Sequence, residues 1–171
     1  QAPQKRARLI SSIAQNDQTP GDLTVAARIF QGLSARIGFH ALLDQHHLEK
    51  IAAICQELQL SHLIDRPFRT LSGGEKKRVQ IARCLIDDKA FVYLLDEPDA
   101  GLDLRHRQGL IDSLKKRSQK GQIVIVTLHD LALAQKMADR TLVLAEKQVA
   151  FDGPSSEVLT QAVLKKYFGI N

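Results

Sequence analysis

Two adjacent acids close an apolar run, Phe91-Val92-Tyr93-Leu94-Leu95-Asp96-Glu97-Pro98, one helix length after a glycine pair at Leu71-Ser72-Gly73-Gly74-Glu75. Neighbours on a strand point to opposite faces, so Asp96 and Glu97 can take two roles at one strand end. In phosphoryl transfer the first acid holds a divalent cation, usually through water, while the second polarises the attacking water. Two glycines at a helix start let backbone N–H groups approach a phosphate, where the macrodipole favours anions. A histidine, His129, follows a second apolar run, and a neutral imidazole there both donates and accepts. Each feature has a plainer reading. Ser72 with Glu75 is a capping box, two acids often end a strand in solvent, and a lone histidine can be satisfied at a sheet edge. The order and spacing of the three favour nucleotide hydrolysis.

The elements that must position these residues follow from periodicity. Residues 8–14 read as a strand ending at Gln15, followed by a turn-rich stretch at 16–22 that contains Pro20-Gly21. From Leu23 to Leu85 the pattern is helical. Asp44 is placed to N-cap a helix in which Leu48, Ile51, Ala52, Cys55 and Leu58 recur on one face. Asp65-Arg66-Pro67 breaks that region before a helix beginning at Ser72. Residues 91–95 and 123–128 are continuous apolar runs, which suit central strands of a buried parallel sheet. Between them, 104–120 reads as a crossover helix stopped by Gly121. Strand, helix and strand in this order build α/β folds. Residues 141–144 and 148–151 are expected to pair around Glu146-Lys147, a weak turn because neither residue favours positive φ. A last helix is expected over 156–168.

The chain has 171 residues, 44% hydrophobic and 25% charged, which is ordinary for a globular protein. Its apolar runs fall far short of the ~20 residues that span a bilayer. The polar, basic start at Gln1 has no signal-peptide pattern and no initiating Met, so the sequence is read as the interior of a longer chain. Cys55 and Cys84 lie in helical apolar patterns and are expected to be small buried hydrophobes. A net charge of +5 is carried by basic clusters without interleaved aromatics, so solvated helix faces explain it better than nucleic acid.

Taken together, Leu71–Glu75 with Arg78 and Ile81-Ala82-Arg83, then Asp96-Glu97, Asp99–Asp103 and Thr127-Leu128-His129-Asp130, resemble the ATPase subunit of ABC transporters. Signature, Walker B, D-loop and switch histidine stand in that family's order. Gln15, before Thr19-Pro20 and Leu23-Thr24-Val25, resembles the Q-loop of siderophore, haem and cobalamin importers, and Glu157-Val158-Leu159-Thr160 near the end resembles the same group. The departures are Asp99, where the family more often has Thr or Ser, and Gly101.

The resemblance implies a fold class of α/β, a P-loop NTPase (RecA-like) parallel sheet with an inserted α-helical subdomain. The core would occupy 1–22 and 86–171, and the helical subdomain 23–85. ATP and Mg2+ are the implied cofactors. Asp96 and Gln15 would serve the metal and Glu97 would be the catalytic base, with His129 touching the γ-phosphate. Gln15, Ser72, Gly73, Gly74, Glu75 and Asp103 would line the nucleotide. A second subunit would pair head to tail, its signature reaching the γ-phosphate held by the first. A transmembrane permease would dock on the helical subdomain, from the cytoplasmic face of the membrane. Val25, Ile29, Phe30, Leu33, Ile37, Phe39, Leu42 and Leu43 carry more apolar surface than two short helices bury, so some of them are expected to line that groove. No nucleic-acid partner is implied.

None of the ten glycines is followed by Lys, so the phosphate-cradling G-x-x-x-x-G-K-[ST] loop is absent from these residues. The expectation is an importer ATPase, for iron-siderophore, haem or cobalamin, represented by a fragment that cannot hydrolyse ATP alone. Two alternatives remain open: an ABC-type ATPase of DNA maintenance or of the ribosome, and a non-catalytic remnant that pairs with another ATPase. Gln15 and Ser72 lie 72 − 15 = 57 positions apart, too close for the long coiled coil of the DNA-maintenance class.

Overall fold

Three short parallel strands carry the first part of the molecule: β1 (Ile10–Ile13), β2 (Val92–Asp96) and β3 (Ile123–Thr127), with β2 in the middle. The computed structural model describes residues 3–13, 22–38, 41–158, 160 and 165. Gln15 and Phe39 lie outside these residues. The chain divides into two compact units, 1–127 and 128–171.

In the first unit the register pairs Ile10 with Val92, Val92 with Ile123 and Asp96 with Thr127. Tyr93 and Leu95 are buried, as the apolar run of β2 predicts. The equally apolar β3 differs from expectation. It is an outer strand of the described sheet, and Ile123 and Ile125 are 46% and 50% exposed. Its sequence suits a strand paired on both sides, but the described residues supply a partner on one side only.

The first strand is shorter than the expected 8–14. Residues Arg8 and Leu9 belong to a helix, α1 (Pro3–Leu9), and the strand begins at Ile10. Proline suits a first helical turn. The carbonyls that a helix end leaves without intrahelical partners are taken from afar: Arg36 Nη2 donates to Arg8 O at 2.8 Å, and the Phe91 N–H to Leu9 O at 2.8 Å.

The helical region is as the sequence predicts in kind. It comprises α2 (Val25–Phe30), α3 (Ser34–Ile37), α4 (Gln45–Glu57) and α5 (Gly73–Leu85). Asp44 caps α4 by accepting the His47 N–H at 2.8 Å. At Gly32 a Cβ would sit 1.9 Å from Arg83 O, so only glycine lets the α2–α3 connection lie against α5. Burial narrows the set of residues that could line the expected groove. Val25, Ile29 and Leu33, at 0%, 0% and 3% exposure, are core residues and are not available to line a groove. Leu42, Leu43 and Leu48 are exposed instead, Leu42 at 87%. Both cysteines are buried, and burial pushes each thiol up to about 11.

The crossover helix α6 (Leu104–Gln119) ends before Gly121, whose φ of 80° gives the left-handed stop that the sequence predicts. Arg117 on α6 donates to Glu57 Oε1 of α4 and to Leu85 O at the end of α5, and its guanidinium lies over the Tyr93 ring. It thus ties α4, α5 and α6 to the middle strand.

The second unit holds α7 (Leu131–Met137), the antiparallel strands β4 (Arg140–Ala145) and β5 (Gln148–Pro154), and α8 (Ser155–Val158). The expected hairpin forms with both turn residues in the left-handed region, Glu146 at φ 51° and Lys147 at φ 63°. A two-residue loop of type I′ requires that geometry even without Gly or Asn. The last helix begins at Ser155, whose hydroxyl lies 2.7 Å from that of Thr141. Most of the expected 156–168 lies outside the described residues.

Candidate functional site

At the carboxyl end of β2 one hydroxyl organises both acids. Thr127 donates to Asp96 Oδ1 at 2.5 Å and accepts the Glu97 N–H at 2.9 Å. The bonds follow from register, since Thr127 is the residue paired with Asp96. Glu97 then turns the chain sharply with φ 43°, a conformation that a non-glycine residue holds only where its surroundings enforce it. The enforcement is visible: Pro98 is buried, Asp99 is 8% exposed, the Ala100 N–H reaches Glu97 O, and the Leu102 N–H reaches Asp99 O. Both carboxylates are half-buried at the strand tip.

The glycine pair opens α5 as a capping box. Ser72 Oγ accepts the Glu75 N–H at 3.4 Å and donates to Glu75 Oε2 at 2.8 Å, and the Ser72 N–H reaches the same oxygen. Those donors, the Ser72 N–H first, hold the Glu75 carboxyl below its usual range. A Cβ on Gly74 would meet Gly101 O at 3.2 Å, so the start of α5 lies against the turn that follows the acid pair. A Cβ on Gly73 would meet nothing within 4 Å. Glycine there answers no need of the described chain and leaves the helix start open to an outside group.

Asp103, expected at the nucleotide, caps α6: it accepts the His106 N–H at 2.9 Å and pairs with His106 Nδ1 at 2.8 Å. The backbone N–H of His106 is the main cause that lowers its pKa. His129 is exposed in the second unit, one residue before Asp130, which caps α7. Of the expected site residues, the structure therefore joins Asp96 to Glu97 and sets Ser72–Glu75 beside the loop they lead into. Gln15 lies outside the described residues.

Among the described residues no cluster of three His, Cys, Asp or Glu side chains is arranged to hold a metal. Asp96 does fit a hard cation such as Mg2+, which usually keeps several waters and takes one or two carboxylates plus phosphate oxygens. Sequence reasoning did not single out Thr127. The signal was a threonine at the end of a second apolar run, and its meaning depends on a strand register that no local pattern displays.

A family model described as ABC transporter matches residues 1–100. The hemin import ATP-binding protein HmuV of Rhodococcus jostii is 42% identical over 120 residues, covering 68% of this chain and 41% of that protein. The ferric enterobactin transport ATP-binding protein FepC of Escherichia coli is 32% identical over 173 residues, covering 99% of this chain and 62% of that protein. The chain thus spans less than two thirds of the length of these curated relatives. Among solved structures, a metal-chelate type ABC transporter in an inward-facing conformation superposes with a TM-score of 0.80 at 26% identity, covering 94% of this chain and 64% of that one. An ATP-binding subunit of another ABC transporter has a TM-score of 0.79 at 20% identity, covering 98% and 65%, a likeness of fold alone.

Proposed function

Because this chain belongs to the ABC transporter family, we propose that it is part of the ATP-hydrolysing subunit of an importer for haem, an iron-siderophore or cobalamin. The names of its relatives favour the first two cargoes. The observation that carries the catalytic reading is the pair of acids locked by Thr127 at the tip of β2. Asp96 would hold Mg2+, which supplies charge neutralisation at the phosphates. Glu97 would orient and polarise the water that attacks the γ-phosphorus, and by resemblance to the family His129 would serve the γ-phosphate and Gln15 the metal. The Ser72 N–H is held by Glu75, and Gly73 and Gly74 open α5 with backbone N–H groups of the kind that a helix start leaves without intrahelical acceptors. They would serve the nucleotide of a second subunit, which explains a glycine at 73 that its own chain does not require.

The 171-residue chain itself is expected to bind Mg-ATP weakly and to hydrolyse none. Without a Lys-bearing glycine loop, the β- and γ-phosphates lose their main electrostatic partners. Calorimetry checks this. Micromolar affinity, together with phosphate release above a protein-free blank, would show that these residues hold nucleotide unaided.

No helix among the described residues is long and apolar enough to cross a membrane. The membrane partner that this reading implies is a transmembrane permease, reached from the cytoplasmic face. Among the described residues of 23–85, Leu42, Leu43 and Leu48 are the exposed large apolar side chains, and exposed apolar patches often mark a protein contact. Single cysteines at these positions in the full-length protein are expected to cross-link to the permease, and cysteines at Lys115 and Lys120 are not. The reverse pattern would move the docking surface to α6 and weaken the importer assignment.

A further inference from the structure

The helix that opens with the glycine pair also carries a lysine level with the acid pair. Two contacts set the run of α5 along the sheet. Near its end, the Ser11 hydroxyl donates to Cys84 O at 2.7 Å, and Ser11 is the register partner of Tyr93. At its start, Gly74 lies beside the Gly101 carbonyl beyond the tip of β2, which is 3.2 Å from where a Cβ on Gly74 would stand. Helix and strand therefore run in opposite directions. Lys77 precedes Cys84 by seven residues, about 10 Å along a helix axis. Asp96 follows Tyr93 by three residues, about 10 Å along a strand. The two residues fall at the same height, and Lys77 shares with Gly74, three residues earlier, the side of the helix turned to the loop. Burial pushes the Lys77 ammonium's pKa down, and Asp96, then Glu97 and Asp99, oppose that shift.

We propose that Lys77 is a positioning residue of the hydrolytic centre, a fixed cation on the signature helix that holds Asp96, Glu97 and Asp99 of its own chain in place. The proposal rests on the ATPase reading above. Three acids within four residues repel one another, and the middle of them sits at φ 43°, where the backbone relaxes unless its neighbours prevent it. The Thr127 hydroxyl restrains Asp96 and the Glu97 backbone. Lys77 answers the charge. Its groups of interest are the acids and not a phosphate, so its removal is expected to act on turnover more than on nucleotide affinity.

The test uses the full-length protein that contains this chain, with Lys77→Met, Lys77→Gln and Lys77→Arg compared by steady-state ATP hydrolysis. Met and Gln are expected to lower kcat about fivefold to tenfold with KM for ATP unchanged within about twofold, and Arg to restore most of the loss. Raising salt from about 0.05 to 0.5 M is expected to narrow the gap between wild type and Lys77→Met, because screening relieves repulsion among the acids. A packing defect would show no such narrowing. An unchanged kcat in Met and Gln, or an Arg variant no better than Met, would overturn the proposal. Glu97→Gln run in parallel separates the two readings. If it keeps full turnover the ATPase reading fails, and if it loses turnover while Lys77→Met does not, only the role of Lys77 fails.

Discussion

Replacing Glu97 with Gln in the full-length protein is expected to cut ATP hydrolysis at least ~100-fold, the scale of losing a positioned general base. Binding of ATP is expected to survive. The two side chains have nearly the same shape, and the bond that fixes this position runs from the Glu97 backbone N–H to Thr127, which the substitution does not touch. The turn at φ 43° is therefore retained. What is lost is the negative oxygen that polarises water. With binding intact and turnover blocked, a nucleotide-bound dimer should accumulate, visible as an earlier peak on gel filtration in Mg-ATP. Full turnover with no dimer would reduce Glu97 to the polar end of a strand.

Local rules were enough for the parts of this chain that local chemistry determines. Ser72 with Glu75 and Asp44 with His47 close their caps within three residues, and Gly121 ends α6 through its own backbone freedom. None of these needs knowledge of the rest of the molecule. What was not legible depends on distant partners. The start of β1 is set by Arg36 and Phe91, which take the carbonyls of Arg8 and Leu9. Thr127 gains its role from pairing with Asp96, and Lys77 from the direction of a helix across a sheet.

Apolar periodicity could not separate the buried Val25 and Ile29 from the exposed Leu42, because core and contact surface draw on the same residues. Asp103 shows the opposite ambiguity. An acid with a histidine three residues on is sufficient as a helix cap, and the structure supplies that cap in full. Any service to nucleotide would come in addition to it.

Ser72 allows the sharing of sites between subunits to be tested within these residues. Arginine there is expected to remove a cap, at a cost of about 1 kcal/mol, and to place a bulky cation at the open face of Gly73. The informative measurement combines it with Glu97→Gln in mixed dimers. If each site takes its acids from one subunit and its signature from the other, both lesions in one subunit spoil both sites: the Gln disables that subunit's own site and the Arg its partner's. One lesion in each subunit makes both fall in the same site and leaves the other whole. The split arrangement is therefore expected to retain a substantial part of wild-type turnover, while the same-subunit arrangement falls at least ~100-fold, as for the loss of the base itself. The two dimers contain the same substitutions in the same number, so the cap's contribution to stability cancels between them. Equal turnover would mean that Ser72 serves neither site, and the reversed pattern that it serves its own chain's site; in either case the open face of Gly73 would need another occupant than a partner's phosphate.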